Sequence, residues 1–129
     1  MRAARWHSVA LPLVYLAEHP ASALLEVLVH MEVDGDDLPD FYQLLAIDIP
    51  DGTAFDDVPA LSPDWRADPP ETQQIGNQWL AEAATALLRV PSAIVPHTWN
   101  WLLNPRHAGA QAARVAEIVH ARFDPRLFD

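Results

Sequence analysis

Leu13 to His30 reads LVYLAEHPASALLEVLVH, an apolar strand that passes through Glu18-His19 into a helix beginning at Pro20. Leu13 to Ala17 has the length and composition of a short buried strand, and proline is suited to a first helical position because its φ is already set. The helix runs to about Met31 and is apolar almost all round, broken chiefly by Ser22, Glu26 and His30. Such a helix is normally buried, which places Glu26 in a cleft rather than in bulk water.

Outward from this unit, Asp34-Gly35-Asp36-Asp37 reads as a loop, and Phe41 to Ile49 (FYQLLAIDI) as a central strand, rich in aromatic and branched residues and ended by Pro50. Five of the twelve prolines fall between Pro50 and Pro70, so this stretch should be an ordered, irregular excursion anchored by Trp65. Thr72 can cap a helix over about Gln73 to Leu88, in which Ile75, Trp79, Leu80, Ala83 and Leu87 recur at helical spacing and Gly76 is a weak point. Ala93 to Val95 and Trp99 to Leu103 are short strand candidates, Ala108 to Ala113 a brief helix, and Val115 to Phe123 a last strand. The order of elements is mixed α+β in one domain, without the regular alternation of a doubly wound sheet.

With 129 residues, half of them apolar, the chain can build a core without staples, and the lack of cysteine removes disulfides, thiolate zinc sites and a thiol nucleophile. Eighteen acidic against eight basic side chains give a formal charge of -10. That balance repels nucleic acid and anionic lipid, favours a basic protein partner, and obliges any anionic substrate to find a locally positive pocket. The Ala21-Ser22-Ala23 stretch after an apolar run faintly resembles a secretory cleavage site, but Pro12, Tyr15, Glu18 and His19 spoil the pattern. No run is long and apolar enough to span a bilayer.

Several residues are candidates for chemistry, each with a plain structural reading beside it. Ser22, Glu26 and His30 share one side of the helix at i, i+4 spacing, as a solvated Glu-to-His pair or, given the flanking Val27 and Val29, as a cleft carboxylate. Tyr15 alternates against Val14 and Leu16, as a core residue with its hydroxyl satisfied or as an aromatic plate. Arg5 is a solvated charge or a ligand clamp, and Ser92 a turn cap or a ligand contact with no nucleophile elbow around it. The six histidines match no zinc template, and neither glycine-rich phosphate motif nor a calcium-loop ladder is present.

Read together, Ala4-Arg5-Trp6-His7, Pro12-x-Val14-Tyr15-Leu16-Ala17-Glu18 and Ala23-Leu24-Leu25-Glu26-Val27-Leu28-Val29-His30 resemble the RES domain family of bacterial toxins. Thr72-x-x-Ile75-Gly76-x-x-Trp79-Leu80, Val90-Pro91-Ser92-Ala93-Ile94-Val95-Pro96, Asn100-x-Leu102-Leu103-Asn104-Pro105-x-His107 and Phe123-Asp124-Pro125-Arg126 follow in the family's order. The resemblance implies an ADP-ribosyltransferase-like fold and a toxin of a toxin-antitoxin pair. Such a toxin consumes NAD as substrate, without a metal, by breaking the nicotinamide-ribose bond.

It carries the family's Arg, Tyr and Glu site positions onto Arg5, Tyr15 and Glu26 as catalytic residues, and its Ser onto Ser92. Arg5, Tyr15, His7, Ser92 and Asn104 are then expected to bind the nucleotide. It further implies a cytoplasmic protein, a cognate antitoxin with an Xre-like helix-turn-helix part, no direct contact with DNA or membrane, and a toxin homodimer within a larger complex. Water, phosphate or a protein can accept the ADP-ribose, and a non-enzymatic antitoxin-binding remnant is a further reading. Family members carry roughly two dozen further residues before the Arg-Trp block, so residues 1–129 are expected to form the RES domain without that segment. Ala3-Ala4 stands where the family often has Gly-Gly, and His7 where many members have Asn.

Overall fold

The computed structural model of the chain describes residues 5–31 and 40–128. Its elements are β1 (Val14–Ala17), α1 (Pro20–Met31), β2 (Phe41–Asp48), β3 (Phe55–Asp57), α2 (Pro69–Glu82), β4 (Leu87–Pro91), β5 (Trp99–Leu103) and β6 (Arg114–Arg122). The class is α+β, as the sequence indicates. The chain divides into two compact units, Met1–Glu18 with Asp51–Gln111 and His19–Pro50 with Ala112–Asp129. The loop expected at Asp34 to Asp37 lies outside the described residues.

In the first unit a four-stranded sheet has the order β1-β5-β4-β3. β5 pairs antiparallel with both β1 and β4, while β3 and β4 run parallel and are joined through α2. Leu88, Val90 and Leu102 share one sheet face and pack with Trp6, Trp65, Trp79 and Leu80 to form the core. Trp65, 7% exposed, anchors the proline-rich excursion as expected. That excursion also contains β3, which was not anticipated.

Two boundaries of α2 differ from those expected. Asp68, not Thr72, is the N-cap: its carboxylate accepts from the Glu71 N–H, and Pro69 and Pro70 fill the first turn, where no intrahelical N–H bond is lost. At the other end Ala83 adopts the left-handed conformation, with φ of 50°, and its N–H returns to the Trp79 carbonyl 3.0 Å away. Leu87 and Leu88 therefore belong to β4 rather than to the helix. Ala93 to Val95 is no strand either, because Ser92 Oγ accepts from the N–H groups of Ile94 and Val95, both at 3.1 Å, and turns the chain. The expected helix after Ala108 is a single 3-10 turn, Ala108–Ala110.

The second unit holds α1, with the boundaries expected, and the antiparallel pair β2-β6, which shifts register between Ala46 and Ile47. β2 is not a central strand: among the described residues its partner is β6 in a two-stranded ribbon. Apolar side chains on both its faces imitate a central strand, yet Phe41 and Leu45 are about half exposed. On α1, Leu25, Val27 and Val29 are likewise exposed, so the near-uniform apolarity of the helix does not reflect burial on all sides.

Candidate active site

The residues best ordered for chemistry lie in the first unit, where the irregular stretch 5–8 meets β1. Tyr15 is paired with Leu102 across the β1-β5 ladder, and Leu102 is fully buried on the side of α2, so Tyr15 projects to that side too. Its hydroxyl meets two buried residues, accepting from the Trp6 N–H at 3.3 Å and lying 2.8 Å from His7 Nδ1. With one bond accepted from Trp6, the hydroxyl keeps its own proton and a second lone pair, so it can share this bond with His7 in either neutral tautomer.

Burial holds the His7 imidazole below its ordinary range, and burial pushes the Tyr15 phenol up to about 12 against a smaller opposing pull from the Trp6 N–H. The two groups thus share one bond as neutral partners. Tyr15 as a residue nevertheless remains 42% exposed, an anchored aromatic that a planar ligand can stack on.

Arg5 precedes this pair and is held at both ends. Its Nη1 donates to the Arg66 carbonyl at 3.0 Å, and its own carbonyl accepts from the Thr72 hydroxyl. A guanidinium has five N–H donors, so the bond to Arg66 leaves a fork able to grip an anion. Arg66, whose guanidinium rests 4.7 Å over the Trp65 ring, brings a second cation to the neighbouring stretch of chain. Sequence reasoning missed Arg66, which no spacing relates to Arg5.

Ser92 and Asn104 are also buried, and each is engaged in local structure. Ser92 caps the turn after β4, while Asn104 Oδ1 accepts from the Arg106 N–H at 3.1 Å in a turn after β5. They stand at opposite ends of the β4-β5 pair, for Ser92 bonds Thr98 and Asn104 bonds Ala86. Five residues of each strand intervene, a span of about 20 Å. The structure therefore brings His7 and Tyr15 together, with Arg5 two residues before His7 on the same stretch, and does not bring Ser92 and Asn104 to each other.

Glu26 belongs to the second unit, in the middle of α1. His30 Nε2 lies 3.7 Å from its carboxylate, and its side chain is 26% exposed, a half-buried carboxylate with an i+4 partner as the helix spacing indicates. Among the described residues no three His, Asp or Glu side chains gather as a metal site would require, and no helix is long and apolar enough to cross a membrane.

The chain belongs to the RES domain family, whose model matches residues 1–124. It is 46% identical over 124 residues to Toxin Res of Pseudomonas putida, covering 96% of this chain and 85% of that protein. It is 38% identical over 127 residues to Toxin Res of Yersinia enterocolitica, covering 95% and 82%. Over 129 residues it is 37% identical to the Prs ADP-ribosylating toxin of a Sphingobium strain, covering 95% and 79%.

Proposed function

We propose that this chain is the toxin of a bacterial toxin-antitoxin pair and depletes cytoplasmic NAD by cleaving the nicotinamide-ribose bond. The observation that carries the reading is the anchored Tyr15 in a chain of this family, its hydroxyl bonded to the Trp6 N–H, the residue that follows Arg5: a stacking surface joined to the stretch that carries a guanidinium fork. In this reading Arg5 grips the pyrophosphate, Tyr15 stacks on the nicotinamide end, and His7 fixes the Tyr15 hydroxyl. Ser92 and Asn104 are assigned to orienting the nucleotide, each in addition to its turn.

Glu26 supplies the charge that the chemistry needs. Breaking the N-glycosidic bond leaves its electron pair on the nicotinamide ring nitrogen, so the leaving group departs neutral without an acid, while the ribose passes through an oxocarbenium-like state. A carboxylate stabilises that cation and can bond the ribose hydroxyls. Water or phosphate then completes the reaction at the anomeric carbon. The name of the Sphingobium relative favours a second reading, in which a protein side chain is the acceptor. The same reading assigns a helix-turn-helix antitoxin as partner, and leaves DNA contact to that partner in keeping with the net charge of -10.

Incubating the purified chain with NAD, with and without phosphate, and following nicotinamide tests this directly. Release should fall by roughly a hundredfold or more in Glu26→Gln, which keeps shape and removes charge. Undiminished release in the variant would overturn the role of Glu26. Transfer of label from NAD to a lysate protein would select the protein acceptor. A folded chain that neither releases nicotinamide nor melts higher with NAD would instead be a binding module for its antitoxin.

A further inference from the structure

The stretch that carries Arg5 and His7 has no helix or strand of its own, yet consecutive residues of it are held by one side of α2. The fully buried Thr72 hydroxyl donates to the Arg5 carbonyl. The Trp6 carbonyl lies against Gly76 so closely that a Cβ there would sit 1.6 Å from the oxygen. Asn77 Oδ1 accepts from the Ser8 N–H at 2.9 Å and the Val9 N–H at 3.4 Å, while its Nδ2 donates to Ser8 Oγ at 2.8 Å. Positions 72, 76 and 77 fall on one side of a helix by their spacing.

We infer that Thr72, Gly76 and Asn77 are positioning residues for NAD binding, a rail on α2 that sets the Arg5 fork and the His7-Tyr15 pair before the nucleotide arrives. The inference rests on the NAD reading above. None of the three need touch substrate; each fixes backbone atoms of the stretch that does. A backbone ordered in advance spares the complex the cost of ordering it on binding, so the rail acts on affinity for NAD more than on the bond-breaking step.

Paired substitutions at Thr72 separate positioning from mere packing. Thr72→Val keeps the branched shape and removes the donor; Thr72→Ser keeps the donor and removes a methyl group. If Thr72 only filled space, Val would be the milder change. As a positioning residue, Thr72→Val should raise the KM for NAD about tenfold with a smaller change in kcat, the scale of one lost buried hydrogen bond, and Thr72→Ser should stay near wild type. Asn77→Ala, at a half-buried site, should raise KM in the same way with little change in melting temperature. If Thr72→Val and Asn77→Ala bind NAD like wild type while Arg5→Ala does not, the rail is overturned and the NAD reading survives. If the wild-type chain releases no nicotinamide, the NAD reading fails and the rail fails with it.

Discussion

At the level of single residues, burial of His7 and Tyr15 makes stability respond to pH at both ends of the range. His7 titrates lower in the folded chain than its ordinary value of 6.5, so the unfolded chain binds the extra proton first. Its contribution is complete above that pH and is lost as acidity increases through the folded value. Tyr15 is shifted the other way, from 10.0 to about 12, so its contribution is complete below pH 10 and is lost as the pH rises towards 12. Melting temperature should therefore decline below about pH 6.5 and again above about pH 10, on the linkage argument. Tyr15→Phe keeps the ring and removes the ionisable hydroxyl, so its alkaline decline should be shallower than that of wild type. Equal slopes in the two proteins would remove Tyr15 from the account.

At the level of elements, α2 shows what composition conceals. Gly76 looks in the sequence like a flaw in a helix, since glycine is less favourable there than alanine by about 1 kcal/mol. The structure reverses its meaning, because a methyl group at this position would overlap the Trp6 carbonyl. Gly76→Ala should consequently destabilise by on the order of 1–2 kcal/mol, backbone displacement outweighing the gain in propensity, and denaturant unfolding would measure it. A more stable variant would mean that the 5–9 stretch can leave α2 without loss. The same helix explains where legibility ended. Its core positions could be read from the recurrence of Ile75, Trp79 and Leu80, but its end could not, because Ala83 takes a left-handed turn with neither Gly nor Pro to mark it, and Leu87 continues the helical spacing into β4. α1 was legible at both ends because Pro20 marks its start and the polar Asp34-Gly35-Asp36-Asp37 run follows its end in the sequence. The partners of β2 and β3 were not legible, since period-2 patterning gives the faces of a strand and says nothing of its neighbours.

Across the whole molecule, the candidate residues divide between units of different character. Among the described residues every buried side chain, including Trp6, Trp79, Val90 and Leu102, belongs to the first unit, which also carries Arg5, His7 and Tyr15. The second unit comprises α1, which carries Glu26, and a two-stranded ribbon whose Phe41, Leu45, Val115 and Ile118 are each more than half exposed. This division was hidden in the sequence because both units are woven from two separate stretches of chain and their apolar content is alike. Arg5, Tyr15 and Glu26 were visible as candidates through the family resemblance; the contacts that fix Arg5, from Thr72 and Arg66, are 67 and 61 residues away along the chain, beyond any local pattern. Local opening free energy follows buried apolar contact, and a two-stranded ribbon is marginal by itself. Amide hydrogen exchange should therefore be slowest in β4 and β5, at rates set by global unfolding, with β2 and β6 exchanging earlier through a smaller opening. Protection of β2 and β6 equal to that of β4 and β5 would show the chain opening as one cooperative body. Faster exchange in the ribbon would instead mean that the carboxylate assigned to catalysis stands on the less stable unit, so that mild denaturant should abolish nicotinamide release before it unfolds the sheet that holds Tyr15.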